Sequence, residues 1–299
     1  MLSFKLAEKR HSIRSYKTKA LSGSDLSVLK QLIEEAPVFS NDSGLKMVLV
    51  QNGSELAPKL SGYAGYFGNM IEAPQYIVLT CTQGKLCRKT AGYIGEWLVL
   101  NALKHELGAC WIEVLDSVNV KRILELNTDD EAVAMIAFGY PKKEHQMSSI
   151  YANMGQNSLS SLTDMGYPNI TADFSQAPTR DRKTIMAFVY LNEWGVTPEL
   201  ENLEKLGLHE ALFYMRLAPS YGNRQPWMFL IRNSGIDLIV ETSDKISGTI
   251  QCLDAGIAMF YLEVGLKDSG FRGSWNLDEG LRDDSIPEGY AFAGRYVFE

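Results

Sequence analysis

Two arginine clusters are the residues of this sequence best suited to do chemistry. Arg10, Ser12 and Arg14 alternate near the N-terminus, and Arg180 and Arg182 precede an apolar stretch at 185–189. Guanidinium groups together with a hydroxyl hold phosphate monoesters through charge-assisted, often bidentate hydrogen bonds. Taken alone, each cluster indicates either a phosphate-binding site or a solvated basic turn.

Other familiar catalytic patterns do not occur in the sequence. There is no H-E-x-x-H, and no serine or cysteine stands in a nucleophile-elbow context. The glycines at 62, 65 and 68 have the wrong spacing for a dinucleotide fingerprint. The four cysteines form no C-x-x-C pair and have no metal-ligand spacing with the four histidines. We therefore predict reduced thiols, no metal site and no classical side-chain catalysis.

One turn motif occurs twice, as APVFSN at 36–41 and as APSYGN at 218–223. At an offset of 182 residues the match runs without a gap from 26–53 over 208–235, and a second match at offset 164 places Trp111 over Trp275. Repeats on this scale indicate two copies of one fold in one chain. We predict a first copy at 1–145, a linker or lid with a basic extension at 146–195, and a shortened second copy at 196–299.

Helix and strand signals alternate through both copies. The first copy has helix signals at 3–10, 22–37 and 91–107 and strand signals at 46–50, 77–80 and 133–138. The second copy has helix signals at 200–217 and 253–268 and strand signals at 228–231 and 238–240. This alternation predicts an α/β (α+β) fold with a mixed sheet flanked by helices. The segment 146–178, rich in Ser, Asn, Gly and Met, is either a lid or a linker.

The composition of the chain indicates which classes of binding partner to expect. A net charge of -7 and a pI near 5.3 argue against nucleic acid and against anionic membranes. No uninterrupted apolar run approaches the ~18 residues of a membrane span, and the charged N-terminus does not resemble a signal peptide. We therefore expect a cytoplasmic protein whose partner is a small molecule.

Four segments together resemble the FMN-dependent nitroreductase superfamily: RHSIRSY at 10–16, LGACWIE at 107–113, IAFGYP at 136–141 and APSYGNRQPW at 218–227. Their order is similar to the single-chain, internally duplicated (pseudo-dimeric) branch. Ordinary members are homodimers that bind FMN across the interface, with Arg-His-Ser from one subunit and Pro-Ser-x-x-Asn from the other. Here only the first copy has Arg-His-Ser, and Val38 and Ser43 replace the serine and glutamine of the second motif. The resemblance implies that a monomer suffices for one FMN site.

The resemblance also implies a role for each matching residue. The group on the phosphate consists of Arg10, His11, Ser12, Arg180 and Arg182. Arg14 would reach the pyrimidine end of the flavin, where a cation stabilises the anionic reduced ring. The backbone beside flavin N5 and O4 comes from Trp111, Ile112, Glu113 and Val114. The second copy would contribute Pro219, Ser220, Asn223 and Gln225.

The implied function is an oxidoreductase that transfers two electrons from NAD(P)H, through flavin N5, to a nitroaromatic, quinone or similar acceptor. No side chain is then catalytic, because the cofactor does the chemistry. Two alternatives stay open: a non-catalytic FMN-binding protein that stores flavin or senses redox state, and a flavin-free interaction module. Only 83–90 separates the second strand from the central helix, whereas common nitroreductases have a long excursion there. Substrate specificity therefore does not follow from the resemblance.

Overall fold

The computed structural model describes residues 4–40, 44–66, 69–82, 84–142, 182–282 and 285–299. The chain divides into two compact units, one made of 1–141 with 183–299 and the other of 142–182. Of the second unit, only Lys142 and Arg182 are described. The predicted lid or linker at 146–178, Arg180, Asn41 and Ser43 therefore lie outside the described residues.

The first half of the larger unit forms a five-stranded antiparallel sheet with helices around it. Its strand order is β1-β3-β5-β4-β2. The elements in chain order are α1 (Phe4–Glu8), α2 (Gly23–Glu34), β1 (Leu45–Val50), α3 (Gly53–Leu60), β2 (Ala64–Gly65), β3 (Gln75–Cys81), α4 (Lys85–Leu103), β4 (Gly108–Val114), α5 (Ser117–Ile123) and β5 (Glu131–Gly139).

The second half builds another five-stranded sheet, in the order β6-β7-β8-β10-β9. Its elements are β6 (Val189–Leu191), α6 (Leu200–Lys205), α7 (His209–Met215), β7 (Trp227–Arg232), β8 (Gly235–Glu241), α8 (Gly248–Asp268), β9 (Gly273–Asn276) and β10 (Tyr290–Phe298). The edge strand β6 pairs in parallel with β7, and the other pairs are antiparallel. β1 and β7 lie 182 residues apart, the offset found in the sequence. The order β7-β8-β10-β9 repeats β1-β3-β5-β4.

The two halves meet where α4 crosses α8 at very close range. A Cβ added to Gly92 would lie 2.2 Å from the carbonyl oxygen of Leu253, and one added to Gly256 would lie 1.9 Å from that of Lys89. The offset of 164 relates Gly92 to Gly256 and Lys89 to Leu253, so the two contacts are equivalent. Such reciprocity is the pattern of a two-fold interface. Both helices can approach this closely only because glycine stands at each contact.

The hydrophobic cores extend through this crossing. Tyr93 and Leu100 of α4 belong to the core of the second half, and Leu253 of α8 belongs to the core of the first. The buried ammonium of Lys89 also donates to the carbonyl of Ala293 in β10, at 2.7 Å. The cores of the two halves therefore exchange residues at the crossing.

The predicted α/β architecture is confirmed, with two sheets in place of one mixed sheet. The helix expected over 200–217 divides into α6 and α7 around Gly207, whose φ of 71° favours glycine. α4 and α8 begin earlier than predicted, at Lys85 and Gly248. The prediction of reduced thiols is wrong for Cys81 and Cys87, which form a disulfide.

α8 is long and apolar enough to cross a membrane by length and composition alone, the only such helix in the described parts of the chain. The qualifying window has a mean hydropathy of 1.2, and 72% of it is buried inside the protein. Packing on α4 and on the sheet of the second half accounts for that apolarity. The helix therefore has the character of a central core helix.

Replacing Gly256 by alanine tests the helix crossing. Its Cβ would collide with a backbone carbonyl, which cannot rotate away as a side chain can, so Gly256→Ala is expected to lower the free energy of unfolding by about 1–3 kcal/mol. Gly248→Ala is the matched control, because nothing lies within 4 Å of a Cβ there. The control is expected to be neutral or up to ~1 kcal/mol stabilising. Urea unfolding of both variants is the measurement, and equal midpoints would contradict the close crossing.

Candidate functional site

The N-terminal arginine segment lies along the edge of β4 that faces away from β5. Ser12 forms a parallel bridge with Ala109, and the backbone N–H of Ile13 donates to the Ala109 carbonyl at 2.9 Å. Arg10 Nη1 donates to Ser12 Oγ at 3.0 Å. At the end of β4, β2 pairs with Glu113 and Val114 along the same edge. β4 thus places the N-terminal residues and the predicted flavin-side residues along one line.

Three side chains donate hydrogen bonds to the buried carboxylate of Glu96 in α4. Arg10 Nε donates to Oε1 at 2.8 Å and Trp111 Nε1 donates to Oε2 at 2.7 Å. The hydroxyl of Tyr261, from α8, donates to Oε1 at 3.1 Å. The side chains of Arg10 and Glu96 are 4% and 0% exposed. A buried charge is tolerated when it is paired and hydrogen-bonded, and this one joins both halves of the chain.

This arrangement defines where the predicted phosphate-binding residues are. Arg10 points to Glu96 and Ser12, so two residues predicted to bind phosphate contact each other. His11 beside them is exposed. Arg180 lies outside the described residues, and Arg182 belongs to the other compact unit. The phosphate roles of these five residues stay predictions.

The end of β4 brings residues of the two halves together. Tyr221 of the second half hydrogen-bonds the side chain of Glu113. The Tyr221 ring lies 6.4 Å from that of Tyr66, and the Arg14 guanidinium lies 4.8 Å from the centre of the Tyr66 ring, within cation–π range. Burial raises the pKa of Glu113, and the hydrogen bond from Tyr221 partly offsets this. Burial, reinforced by the charge of Glu113, raises the pKa of Tyr221 to about 12.

The turn that carries Tyr221 has an unusual backbone. Gly222, Asn223 and Gln225 have φ values of 59°, 55° and 51°, in the left-handed region. Ser220 holds the turn from within, because its Oγ accepts from the N–H of Gln225 at 2.8 Å and its carbonyl accepts from that of Asn223 at 3.0 Å. Non-glycine residues in this region store backbone strain, which is common at functional sites.

The predicted flavin-contact residues differ in how much of each side chain can reach a ligand. The indole nitrogen of Trp111 is bonded to Glu96, and Ile112 is buried in the core. Gln225 is buried, and its side-chain oxygen accepts from the N–H of Lys183 at 3.0 Å. The partly exposed members of the set are Arg14, Trp111, Glu113, Val114, Pro219, Ser220 and Asn223.

Asp254 of α8 supports the same turn from below. Its Oδ1 accepts from the backbone N–H of Tyr221 at 3.0 Å. Burial raises the pKa of Asp254 to about 7, against the opposite effects of the Tyr221 hydrogen bond and the positive charge of Arg224. Asp254 Oδ2 and Arg224 Nη1 are both buried without a hydrogen-bond partner among the described residues. Buried polar atoms are rarely left unpaired, so each of these two atoms can still accept or donate a hydrogen bond at this turn.

Sequence reasoning missed the residues that fix this site: Tyr66, Glu96, Tyr221, Arg224 and Asp254. One signal for two of them was present. Glu96 and Asp254 are acidic residues within apolar stretches of α4 and α8, and acidic residues are almost never fully buried unless paired.

The equivalent positions of the other copy have become apolar. The offset of 182 relates Tyr221 to Phe39, and the offset of 164 relates Glu96 to Phe260. Phe39 stacks on Tyr93 with ring centres 4.2 Å apart, and Tyr93 meets Phe260 edge to face at 5.2 Å. Three aromatic rings therefore occupy the region where the first site has a carboxylate and a tyrosine hydroxyl.

Comparisons with known proteins agree with this fold. A family model described as "Putative TM nitroreductase" matches residues 4–266. A putative nitroreductase of Thermotoga maritima matches 100% of this chain and 93% of its own, with 17% identity and a TM-score of 0.56. An FMN-dependent nitroreductase of Clostridium difficile matches 52% of this chain and 99% of its own, with 20% identity and a TM-score of 0.40. An iodotyrosine deiodinase bound to FMN and 3-iodo-L-tyrosine matches 48% of this chain and 92% of its own, with 19% identity and a TM-score of 0.40. No curated protein matches the chain.

The raised pKa of Asp254 predicts an unusual pH dependence of stability. The folded carboxyl titrates at about 7, whereas an unfolded aspartate titrates at about 3.9. The folded state therefore binds the proton more tightly, and it loses stability relative to the unfolded state as pH rises from about 4 to about 7. Asp254→Asn removes this titration, so the variant is expected to gain roughly 3 kcal/mol on wild type between about pH 5 and about pH 8. Urea unfolding at both pH values checks this, and a pH-independent difference would contradict it.

Proposed function

The chain belongs to this nitroreductase family, and we propose that it is an FMN-dependent oxidoreductase with one flavin site built from both halves of the polypeptide. The observation that carries the proposal is the meeting of Tyr221 with Glu113, next to Arg14 on Tyr66. The resemblance assigns Arg14 and Glu113 to one side of the cofactor and the 219–225 turn to the other. Those two sides are in contact within a single chain.

The polar groups at this place suit an anionic, hydrogen-bonding cofactor such as FMN. Arg14 supplies a cation over an aromatic ring, and Arg224 Nη1 is a buried donor that no described residue satisfies. Guanidinium donors of this kind favour phosphate or the anionic edge of a ring system. FMN, when bound, would supply the two-electron redox chemistry. Arg14 would bind and orient the ring, and Asn223 and Ser220 would hold it from the second half.

We further propose NAD(P)H as the electron donor and a nitroaromatic, quinone or similar compound as the acceptor, used in turn at one face. Tyr66 and Tyr221 are partly exposed aromatic residues at the junction. Their ring faces favour planar aromatic partners, which stack with offset or edge-to-face geometry.

Aromatic side chains fill the equivalent position in the other copy, which supports one flavin site per chain. Phe39, Tyr93 and Phe260 pack against each other at the positions equivalent to the proposed site. Opening that cluster for a second flavin would expose buried aromatic surface, which costs about 25 cal/mol per Å² of apolar area. A complete second site is therefore not expected.

Visible spectroscopy of the purified protein tests the proposed function. We expect a yellow protein, or an apoprotein that takes up FMN to one equivalent per chain. NADH or NADPH is then expected to bleach the flavin band in anaerobic stopped flow, and an added quinone is expected to restore it. A bound flavin that neither nucleotide reduces would favour a storage or sensing protein. A colourless protein that takes up no FMN, or uptake of two equivalents, would contradict the proposal.

Asn223 offers a test of the unequal copies. Asn223→Ala removes the side chain and disfavours its left-handed backbone, whereas Asn223→Gly removes only the side chain. If the amide contacts the flavin, both variants are expected to bind FMN about tenfold more weakly, as for the loss of one hydrogen bond of roughly 1.4 kcal/mol. Asn41→Ala, the counterpart in the first copy, is expected to keep full flavin content.

Flavin-to-protein ratios and thermal melts of the three apoproteins distinguish the roles. A glycine variant with wild-type affinity would show that Asn223 serves only the turn. Flavin loss in Asn41→Ala alone would place the cofactor at the other copy.

A further inference from the structure

The turn at 220–225 needs support from outside itself. Three of its six residues have left-handed backbone, and two of these, Asn223 and Gln225, are not glycine. Such residues persist in this conformation only where their surroundings impose it. The Ser220 hydrogen bonds lie within the turn, so they set its shape but do not fix it to the rest of the protein.

Asp254 provides a connection to the most rigid part of the molecule. Its carboxylate accepts the N–H of Tyr221, and it lies between Leu253 and Gly256, which are held at the close approach of α8 to α4. Because Leu253 and Gly256 are held by the helix crossing on either side of it, Asp254 has little freedom to move. The hydrogen bond that Tyr221 N–H donates to this residue therefore fixes the turn relative to both halves of the chain.

In the described part of the first copy, a different residue stands at the position of Asp254. The residue of α4 equivalent to Asp254 is Thr90, whose hydroxyl donates to the Leu86 carbonyl of its own helix at 2.9 Å. The residue equivalent to Tyr221 is Phe39, which stacks on Tyr93. The acidic contact is thus confined to the copy that the proposed function assigns to the flavin.

We propose that Asp254 is a positioning residue, which holds the 220–225 turn in the conformation that contacts the flavin. The consequence for flavin binding rests on the proposed function, whereas the anchoring of the turn does not. The Asp254 contact sets the position of the Tyr221 backbone, which places its ring near Tyr66 and its hydroxyl on Glu113. Arg224 is the charged side chain of the turn region that acts on the carboxylate, and it favours the ionised form. A buried carboxylate that lowers stability is typical of a site kept for function.

Binding measurements on Asp254→Asn and Asp254→Ala test the proposal, with Thr90→Ala as the matched control. At about pH 8, where the Asp254 carboxyl is ionised, asparagine is a neutral acceptor about half as strong as the carboxylate, so FMN affinity is expected to fall about three- to fivefold. Alanine has no acceptor, and a fall of about tenfold or more is expected. Thr90→Ala is expected to stay within about twofold of wild type. Riboflavin is expected to lose affinity by the same factors, because the effect acts through the turn and not through the phosphate.

Trypsin cleavage after Arg224 in the apoprotein provides a readout that needs no flavin. Arg224 is partly buried, so cleavage there requires local opening of the turn. The rate, followed by mass spectrometry, is expected to rise in the order wild type, Asp254→Asn, Asp254→Ala, and to be unchanged in Thr90→Ala. Asparagine is expected to raise the melting temperature at about pH 8 while it weakens FMN binding, a combination that a purely stabilising role does not produce.

The outcomes separate this proposal from the proposed function. If wild type binds no FMN but the cleavage order holds, the flavin function fails and the anchoring role of Asp254 stands. If cleavage rates do not change while flavin affinity falls, Asp254 acts on the cofactor directly and the proposal is overturned. Wild-type cleavage and wild-type affinity in both variants would also overturn it.

Discussion

The close crossing of α4 and α8 is the constraint on which the rest of the molecule depends. Two glycines let the helices touch backbone to backbone, and the equivalence of the Gly92 and Gly256 contacts makes the crossing nearly symmetric. Each helix carries a sheet behind it, so the crossing fixes the distance between the sheets. The site lies where the edge of one sheet meets a turn of the other half. A larger residue at either glycine would move both of these together.

Two carboxylates are buried at this crossing, and they differ in how many hydrogen bonds they accept. Glu96 receives donors from Arg10, Trp111 and Tyr261, so its charge is fully compensated. Asp254 receives one backbone N–H, and its second oxygen has no partner among the described residues. A satisfied network makes a structure rigid, whereas an incompletely satisfied one costs stability. Glu96 thus stabilises the junction of the halves, whereas Asp254 lowers the stability of the fold and positions the neighbouring turn.

The helices, strands and caps that depend on a local sequence pattern could be predicted from the sequence. The cap at Ser22, the strands β1 and β5 and the presence of two long apolar helices follow from periodicity and turn chemistry, and the offset of 182 recurs between β1 and β7. Contacts between the halves could not be predicted in this way. The partnership of Glu96 with Tyr261 spans 165 residues. The disulfide of Cys81 with Cys87 lies within the first half, and it was missed because the helix signal began after Lys85, where α4 starts. Arg10 is of a residue type that binds phosphate. Its burial against Glu96, however, depends on the packing of three elements that are too far apart in the sequence for a local pattern to show.

Mixing two defective chains tests the central claim, which is that one polypeptide builds the whole flavin site. Arg14→Ala damages the first-half side of the junction, and Asn223→Ala damages the second-half side. If the site lies within a chain, co-expressed variants cannot repair each other, and the flavin content of the mixture is expected to equal the mean of the two separate variants. If the site formed between chains, a mixed dimer would contain one undamaged junction. Flavin content well above that mean, in a species twice the mass of the monomer, would contradict the account.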